Sequence, residues 1–262
     1  MLKSIWNYRQ FICSCIKREF LSRYKGSVLG VVWSIVQPLA MIVVYTVIFS
    51  EIMRAKLVGM DNDGLAYSIY LCSGVLTWEF FTATVMACTN VFLVNGNLMK
   101  KISFPRICLP IISVGSAFLN FCISYGLFFM ALLVLGRFPF DLVIFVVPIL
   151  LVQIIFASSF GIGLGVLNVF FRDVGQLLGV VLQFWFWFTP IVYPSKIIPE
   201  KLLFFMNFNP MYYVTRSYQE IFVYNQVPDF VELSGVLFIG FLLGVWSLRL
   251  YRKHVGEMVD EL

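Results

Sequence analysis

Only 13% of these 262 residues are charged, and the chain contains a single histidine, His254, in its polar C-terminal stretch. None of the six cysteines, Cys13, Cys15, Cys72, Cys88, Cys108 and Cys122, stands in a C-x-x-C pair. They read as reduced, small apolar residues, and neither a metal site nor a catalytic dyad is expected. No Gly-Lys dipeptide occurs anywhere. A G-x-x-x-x-G-K-[ST] loop is therefore excluded, and with it a Walker-type site for ATP in this chain. Gly161-x-Gly163-x-Gly165 lies in an apolar run with no preceding strand, so close helix packing explains it better than a dinucleotide loop. Away from their ends the apolar runs hold essentially one charged residue, Glu79, too few for a proton- or sodium-driven carrier. Glu79 is expected near an external interface or hydrogen-bonded between helices, with a functional role as the alternative.

What is abundant is apolar surface: 60% hydrophobic and 18% aromatic residues, with a mean hydropathy of +0.90. A spanning helix needs about 20 apolar residues, and lipid forces backbone groups to pair within the segment. The expected fold is all-α and membrane-embedded, a single permease domain over 1–262. Six spans are predicted: Val28–Ser50, Leu65–Val94, Leu109–Leu135, Leu142–Phe170, Gln176–Val192 and Leu233–Leu250. An amphipathic interfacial helix within 1–25 is expected to precede them. It sets Leu2, Ile5, Tyr8, Ile12, Ile16 and Phe20 against Lys3, Asn7, Gln10, Ser14, Lys17 and Arg18. No cleavable leader pattern is seen before Val28. Residues 194–215, apolar but broken by Pro199 and Pro210, are expected to form an external re-entrant segment.

Lys3, Arg9, Lys17, Arg18, Arg23, Lys25, Lys100, Lys101, Arg106, Arg172, Arg249, Arg252 and Lys253, thirteen of the nineteen basic residues, fall on the side of the termini. Loops rich in Lys and Arg stay inside, so both termini are expected in the cytoplasm. The net charge of +5 reflects this orientation, and nucleic-acid binding is not indicated.

Three stretches carry more than hydropathy. Arg23, Tyr24, Lys25 and Ser27 lead into Leu29-Gly30, then Trp33 and Gln37-Pro38, joining a basic segment to the first apolar run. Residues 95–108 form a basic loop with Leu98, Lys100, Lys101 and Phe104-Pro105-Arg106, ahead of Leu109-Pro110. Phe184-Trp185-Phe186-Trp187-Phe188 fills the fifth predicted span, ending in Thr189-Pro190 and Tyr193-Pro194, with Asn209-Pro210 beyond. Aromatic faces suit a sliding glycan, although Trp and Tyr also serve as ordinary interface anchors. By helical spacing Phe184 shares a face with Phe188, as does Trp185.

In their joint order, these motifs and the Arg172-Asp173 pair resemble the transmembrane subunit of bacterial ABC type 2 exporters of lipid-linked polysaccharide, of the O-antigen, capsule or teichoic acid type. The resemblance covers nearly the whole chain. It implies a homodimer around a channel, working with two copies of a separate ATPase that binds ATP and Mg²⁺, in the bacterial inner membrane. It also implies a gate for the lipid-linked glycan at Arg23, Tyr24, Lys25, Ser27, Leu29 and Gly30. Trp33, Phe184, Trp185, Phe188 and Tyr193 become channel-lining candidates. Leu98, Lys100, Lys101, Phe104, Pro105 and Arg106 become the coupling loop that docks on the ATPase, with Arg172 and Asp173 as a second contact. A plain positive-inside loop and a local salt bridge remain the alternatives for these last two. A drug or small-lipid exporter, or a membrane transferase acting on lipid-linked sugars, remain rival functions.

Overall fold

The structure is a computed structural model that describes residues 8–52, 57, 64–96, 108–195 and 198–261. It is an all-α integral membrane protein, with no strand among the described residues. Helix α1 covers Arg9–Ser22, and a 3₁₀ turn at Gly30–Val32 opens α2, Trp33–Thr46. The long helices α3, Ala66–Val94, α4, Cys108–Val134, and α5, Val146–Phe170, follow. Then come α6, Asp173–Trp187, the short α7, Glu200–Met206, and α8, Pro210–Phe222. Helix α9 covers Phe230–His254, and α10, Glu257–Glu261, ends the chain.

Among the described residues, five helical stretches are long and apolar enough to cross a bilayer: Gly30–Phe49, Ala66–Val94, Cys108–Val134, Val143–Phe170 and Phe230–His254. The expected crossing at 176–192 differs. Helix α6 has 15 residues, roughly 22 Å of rise, short of the ~30 Å apolar core. Its course toward the far end of α3 continues without helix. The first turn of α6 sits beside Asn90 of α3, through Asn168. The segment after α6 reaches the other end of α3, where Tyr67 donates to the Val192 carbonyl at 2.5 Å and Tyr70 to the Pro190 carbonyl at 2.8 Å. From Asn90 to Tyr67 is about 34 Å along the helix axis.

Helix α3 is the central post, packed against α4, α5, α6 and α8. Its residues Phe81, Val85, Cys88 and Phe92 are fully buried. The glycine run on α5 permits this closeness. A Cβ built on Gly161 would stand 2.7 Å from the Cys88 Cβ, and one on Gly165 would stand 2.5 Å from the Cys88 carbonyl oxygen. Gly163 faces the other way, its Cβ position 2.3 Å from the Trp246 ring of α9. Two faces of one helix are thus pared down so that α3 and α9 approach.

Helix α8 is buried along its length, with Met211, Val214, Tyr218 and Ile221 fully enclosed. Neither α7 nor α8 is long enough to cross. At the start of α8, Asn209 accepts a hydrogen bond from Met211 N at 3.0 Å and Pro210 occupies the first turn, where its missing N–H costs nothing.

Gly165→Ala should destabilise the fold by about 1–3 kcal/mol, because the new methyl meets α3 backbone that cannot rotate away. Gly235→Ala on α9, where a Cβ meets nothing within 4 Å, should be neutral or slightly stabilising. Thermal unfolding of the two variants in detergent checks both; equal midpoints would mean that α3 and α5 do not touch as described.

Candidate functional site

Helix α1 buries Ile12 and Cys15 against Cys108 and Ile112 of α4. Ile16 lies over Gly115, whose Cβ position is 2.4 Å from the isoleucine Cδ1. Lys17 and Arg18 are left exposed on the opposite side. Between α1 and the Asn90 end of α3 runs an open groove of about 1130 Å³. One wall carries Lys17, Arg18, Arg23 and Lys25, and the other is the Met86, Ala87, Val91 and Val94 side of α3. Glu19 is the one acidic residue in its lining and pairs with Arg23 at 3.7 Å. Burial pushes the Glu19 carboxyl up against the pull of Arg23, so the groove gains positive charge as pH falls. The exposed pair itself adds little to stability.

Beyond Arg23 the chain turns twice at positive φ, at Gly26 (91°) and Gly30 (53°), conformations that strain any residue with a Cβ. No residue of α2 is in the groove's lining. Arg23 and Lys25 line the groove, while Ser27, Leu29 and Trp33 stand exposed on the elbow. Tyr24 turns inward and donates to Asn120 Oδ1 of α4 at 3.3 Å.

The aromatic run of α6 divides between two environments. Trp185 faces the protein interior, its ring 5.4 Å from Phe81, 6.0 Å from Phe160 and 6.2 Å from Trp78. Its Nε1 donates to Asn209 Oδ1 at 2.8 Å, and Asn209 Nδ2 donates to Thr189 Oγ1 at 2.9 Å. Phe184 and Phe188 are about two-thirds exposed, at 63% and 64%. Trp185 and Phe188 do not share an environment, because Asn209 and the α3 rings draw the indole in. The Tyr193 hydroxyl donates to the Trp187 carbonyl and pins the turn after the helix.

Residues that the sequence reading passed over form a second groove of about 470 Å³ between α3 and α6. Trp78, Thr82 and Met86 supply one wall at i, i+4 and i+8, and Gly179, Gln183, Phe186 and Trp187 the other. The i+4 spacing on α3 was a legible signal. It was hidden because nearly every position of that helix is apolar.

At the junction of α5 and α6, Arg172 and Asp173 are both exposed and make no ion pair among the described residues. The junction is held from below by Asn168, 1% exposed. Its Oδ1 accepts from Gly175 N at 2.8 Å, and its Nδ2 donates to the Thr89 carbonyl at 3.1 Å and to Asn90 Oδ1 at 3.2 Å. Leu98, Lys100, Lys101, Phe104, Pro105 and Arg106 lie outside the described residues. Among the described residues, no three His, Cys, Asp or Glu side chains converge to hold a metal.

Residues 10–223 match the family described as ABC-2 type transporter. An O-antigen export system permease protein RfbA of Klebsiella pneumoniae is 31% identical over 90% of this chain and 88% of that protein. Its namesake in Myxococcus xanthus is 27% identical over 100% of this chain and 99% of that one. The polysialic acid transport protein KpsM of Escherichia coli is 22% identical over 92% of both.

Asn209→Ala removes the α8 cap and orphans the Trp185 N–H together, and should cost about 1–3 kcal/mol. Trp185→Phe, which removes the donor and part of the ring contact but leaves the α8 cap and the Asn209–Thr189 bond intact, should cost less. The unfolding midpoints of the two variants rank these effects; the reverse order would mean that ring packing outweighs the polar knot.

Proposed function

This chain belongs to the ABC-2 type transporter family, and from that premise we propose which cargo it moves and with what machinery. It is a permease subunit of an ABC polysaccharide exporter. The cargo we assign is a lipid-linked O-antigen, carried outward across the bacterial inner membrane. Two copies of the chain pair around the conduit, and two copies of a separate ATPase bind ATP and Mg²⁺ and drive the transport. Both termini and the Asn90 end of α3 face the cytoplasm.

One observation carries this reading: the open groove in which Lys17, Arg18, Arg23 and Lys25 oppose an apolar wall of α3. A lipid diphosphate needs that combination, cations for its oxygens and a hydrocarbon surface beside them. Drug or small-lipid cargo explains the apolar wall, and membrane orientation explains basic residues on this side, but neither calls for four cations lining one groove. A membrane transferase would need an acid or base at headgroup level. Among the described residues, the groove offers there only Glu19, already paired with Arg23.

The Leu29–Gly30 elbow, with Tyr24 and Ser27, forms the gate through which the headgroup leaves the groove. Trp33, Phe184, Phe188 and Tyr193 line the conduit, joined by Trp78, Phe186 and Trp187. Trp185 contributes by holding α6 in place. Leu98, Lys100, Lys101 and Phe104-Pro105-Arg106 dock on the ATPase, and Arg172 and Asp173 add a second contact at a junction stiffened by Asn168.

Reversing Arg23 and Lys25 together to Glu should lower export at least about tenfold, since each lost charge-assisted bond to phosphate is worth about 1.5–3 kcal/mol. Lipid-linked glycan should accumulate inside the cell while membrane insertion stays normal. Undiminished surface glycan per inserted molecule would remove the groove from the pathway.

Phe104→Asp, or Lys100 and Lys101 both to Glu, should weaken ATPase docking by at least about 2 kcal/mol. Co-purification of the ATPase with each variant measures this; wild-type yield from both would make the loop a topology signal alone.

A further inference from the structure

Glu79 stands midway along α3, and no other charged residue lies away from the ends of the long apolar helices. Its carboxylate has no hydrogen bond or ion pair among the described residues. It opens into a cavity of about 210 Å³ between α2, α3 and α4, lined also by Gln37, Asn120, Ser34, Ser124 and Tyr24. Pro38, in the same lining, has no N–H and so leaves the Ser34 carbonyl without its helical partner. Tyr24 occupies Asn120 Oδ1, which leaves the amide N–H₂ of Asn120 for a ligand. The cavity therefore presents acceptors and donors together, beside the rings of Phe80 and Phe121, whose centroids are 4.6 Å apart.

A carboxylate at mid-bilayer depth that opened onto lipid would be costly, so this side of α3 faces water or cargo. Ala83 borders both this cavity and the basic groove. Asn90, Ala87, Ala83 and Glu79 follow one another along one face of the helix. From Asn90 to Glu79 is roughly 16 Å, the reach of the first few sugars beyond a diphosphate held in the groove.

We propose that Glu79, Gln37 and Asn120 form a subsite that reads the hydroxyls of one sugar of the entering glycan. It rests on the reading above, in which a lipid-linked glycan enters by the basic groove. The carboxylate accepts from a sugar hydroxyl, the Asn120 amide donates, the Gln37 amide donates and accepts, and the Phe and Tyr rings meet the C–H face. The volume admits one ring, so the site checks the chain as it passes and does not store it.

The test uses the permease with its ATPase in vesicles, supplied with lipid-diphosphate-linked glycan extracted from cells lacking the permease. Glu79→Gln, which still hydrogen-bonds, should keep most of the export rate, whereas Glu79→Leu should lose about fivefold or more per inserted molecule. Asn120→Leu should lose a similar amount. Equal loss in Glu79→Gln and Glu79→Leu would mean that charge is what matters, a cation or proton site, and would overturn the proposal. Unchanged export in Glu79→Leu and Asn120→Leu would do the same.

Independently of folding yield, Gln37→Cys should react with a water-soluble sulfonated thiol reagent and be protected by added glycan. No reaction, or reaction without protection, would also overturn it. Failure of the wild-type complex to export the glycan at all would instead refute the assigned cargo.

Discussion

Backbone amides and carbonyls that leave helical pairing at membrane depth must find partners within the protein. The rest of this structure is arranged around one place where that happens. After Trp187 helix α6 ends, before the chain has reached the Tyr67 end of α3. Tyr67 and Tyr70 from α3 and Gln219 from α8 reach the carbonyls of Pro190, Val192 and Tyr193. Asn209 meets the Phe188 carbonyl and the Thr189 hydroxyl. Helix α8 can donate these bonds only because it is itself buried, and that in turn requires α3 and α5 to stand close enough to enclose Tyr218. Gln153 completes the arrangement, accepting from the Tyr218 hydroxyl at 3.2 Å while donating to the Thr77 carbonyl at 2.8 Å.

The two ends of the molecule do different work with the same helix. At its Tyr67 end, α3 is a donor of phenols to a broken backbone. At its Asn90 end, it is an apolar wall facing cations. Between them lies Glu79, and the face that bears it is continuous with that wall. The aromatic groove against α6 occupies a different side, so one helix borders three distinct environments while remaining mostly buried.

The helical class and most crossings were legible in the sequence, because runs of 20 or more apolar residues admit little else in a bilayer. Gly161-x-Gly163-x-Gly165 was legible as packing for the same reason: no loop chemistry suits that context. The early end of α6 was less so. Hydropathy continues smoothly through Phe188 to Val192, and only the partners supplied by Tyr67, Tyr70 and Asn209, distant in sequence, make a non-helical course affordable there. The direction of Trp185 was illegible because five consecutive aromatics offer every face of a helix equally, and Asn209, which selects it, lies 24 residues away. Asn168 and Glu79 were single polar letters in apolar runs, and their roles depend on what α3, α4 and α6 bring to them. Glu79 was expected near the external interface or hydrogen-bonded between helices, with a functional role as the alternative; it stands halfway along α3, and its carboxylate has no hydrogen-bond partner among the described residues.

Helix α6 is tied by polar clamps at both ends, with Leu178 and Leu182 as its buried anchors between them. Asn168 clamps its first turn to α3 and α5, Asn209 ties its last to α8, and the outward flank of Leu177, Val180, Val181 and Phe184 is exposed. Mechanically this is a strut with pinned ends. Were the docking proposed above to load the junction at Arg172 and Asp173, a stiff member of this kind would pass the load on as tilt about its far pin, and the exposed flank would move most near the loaded end.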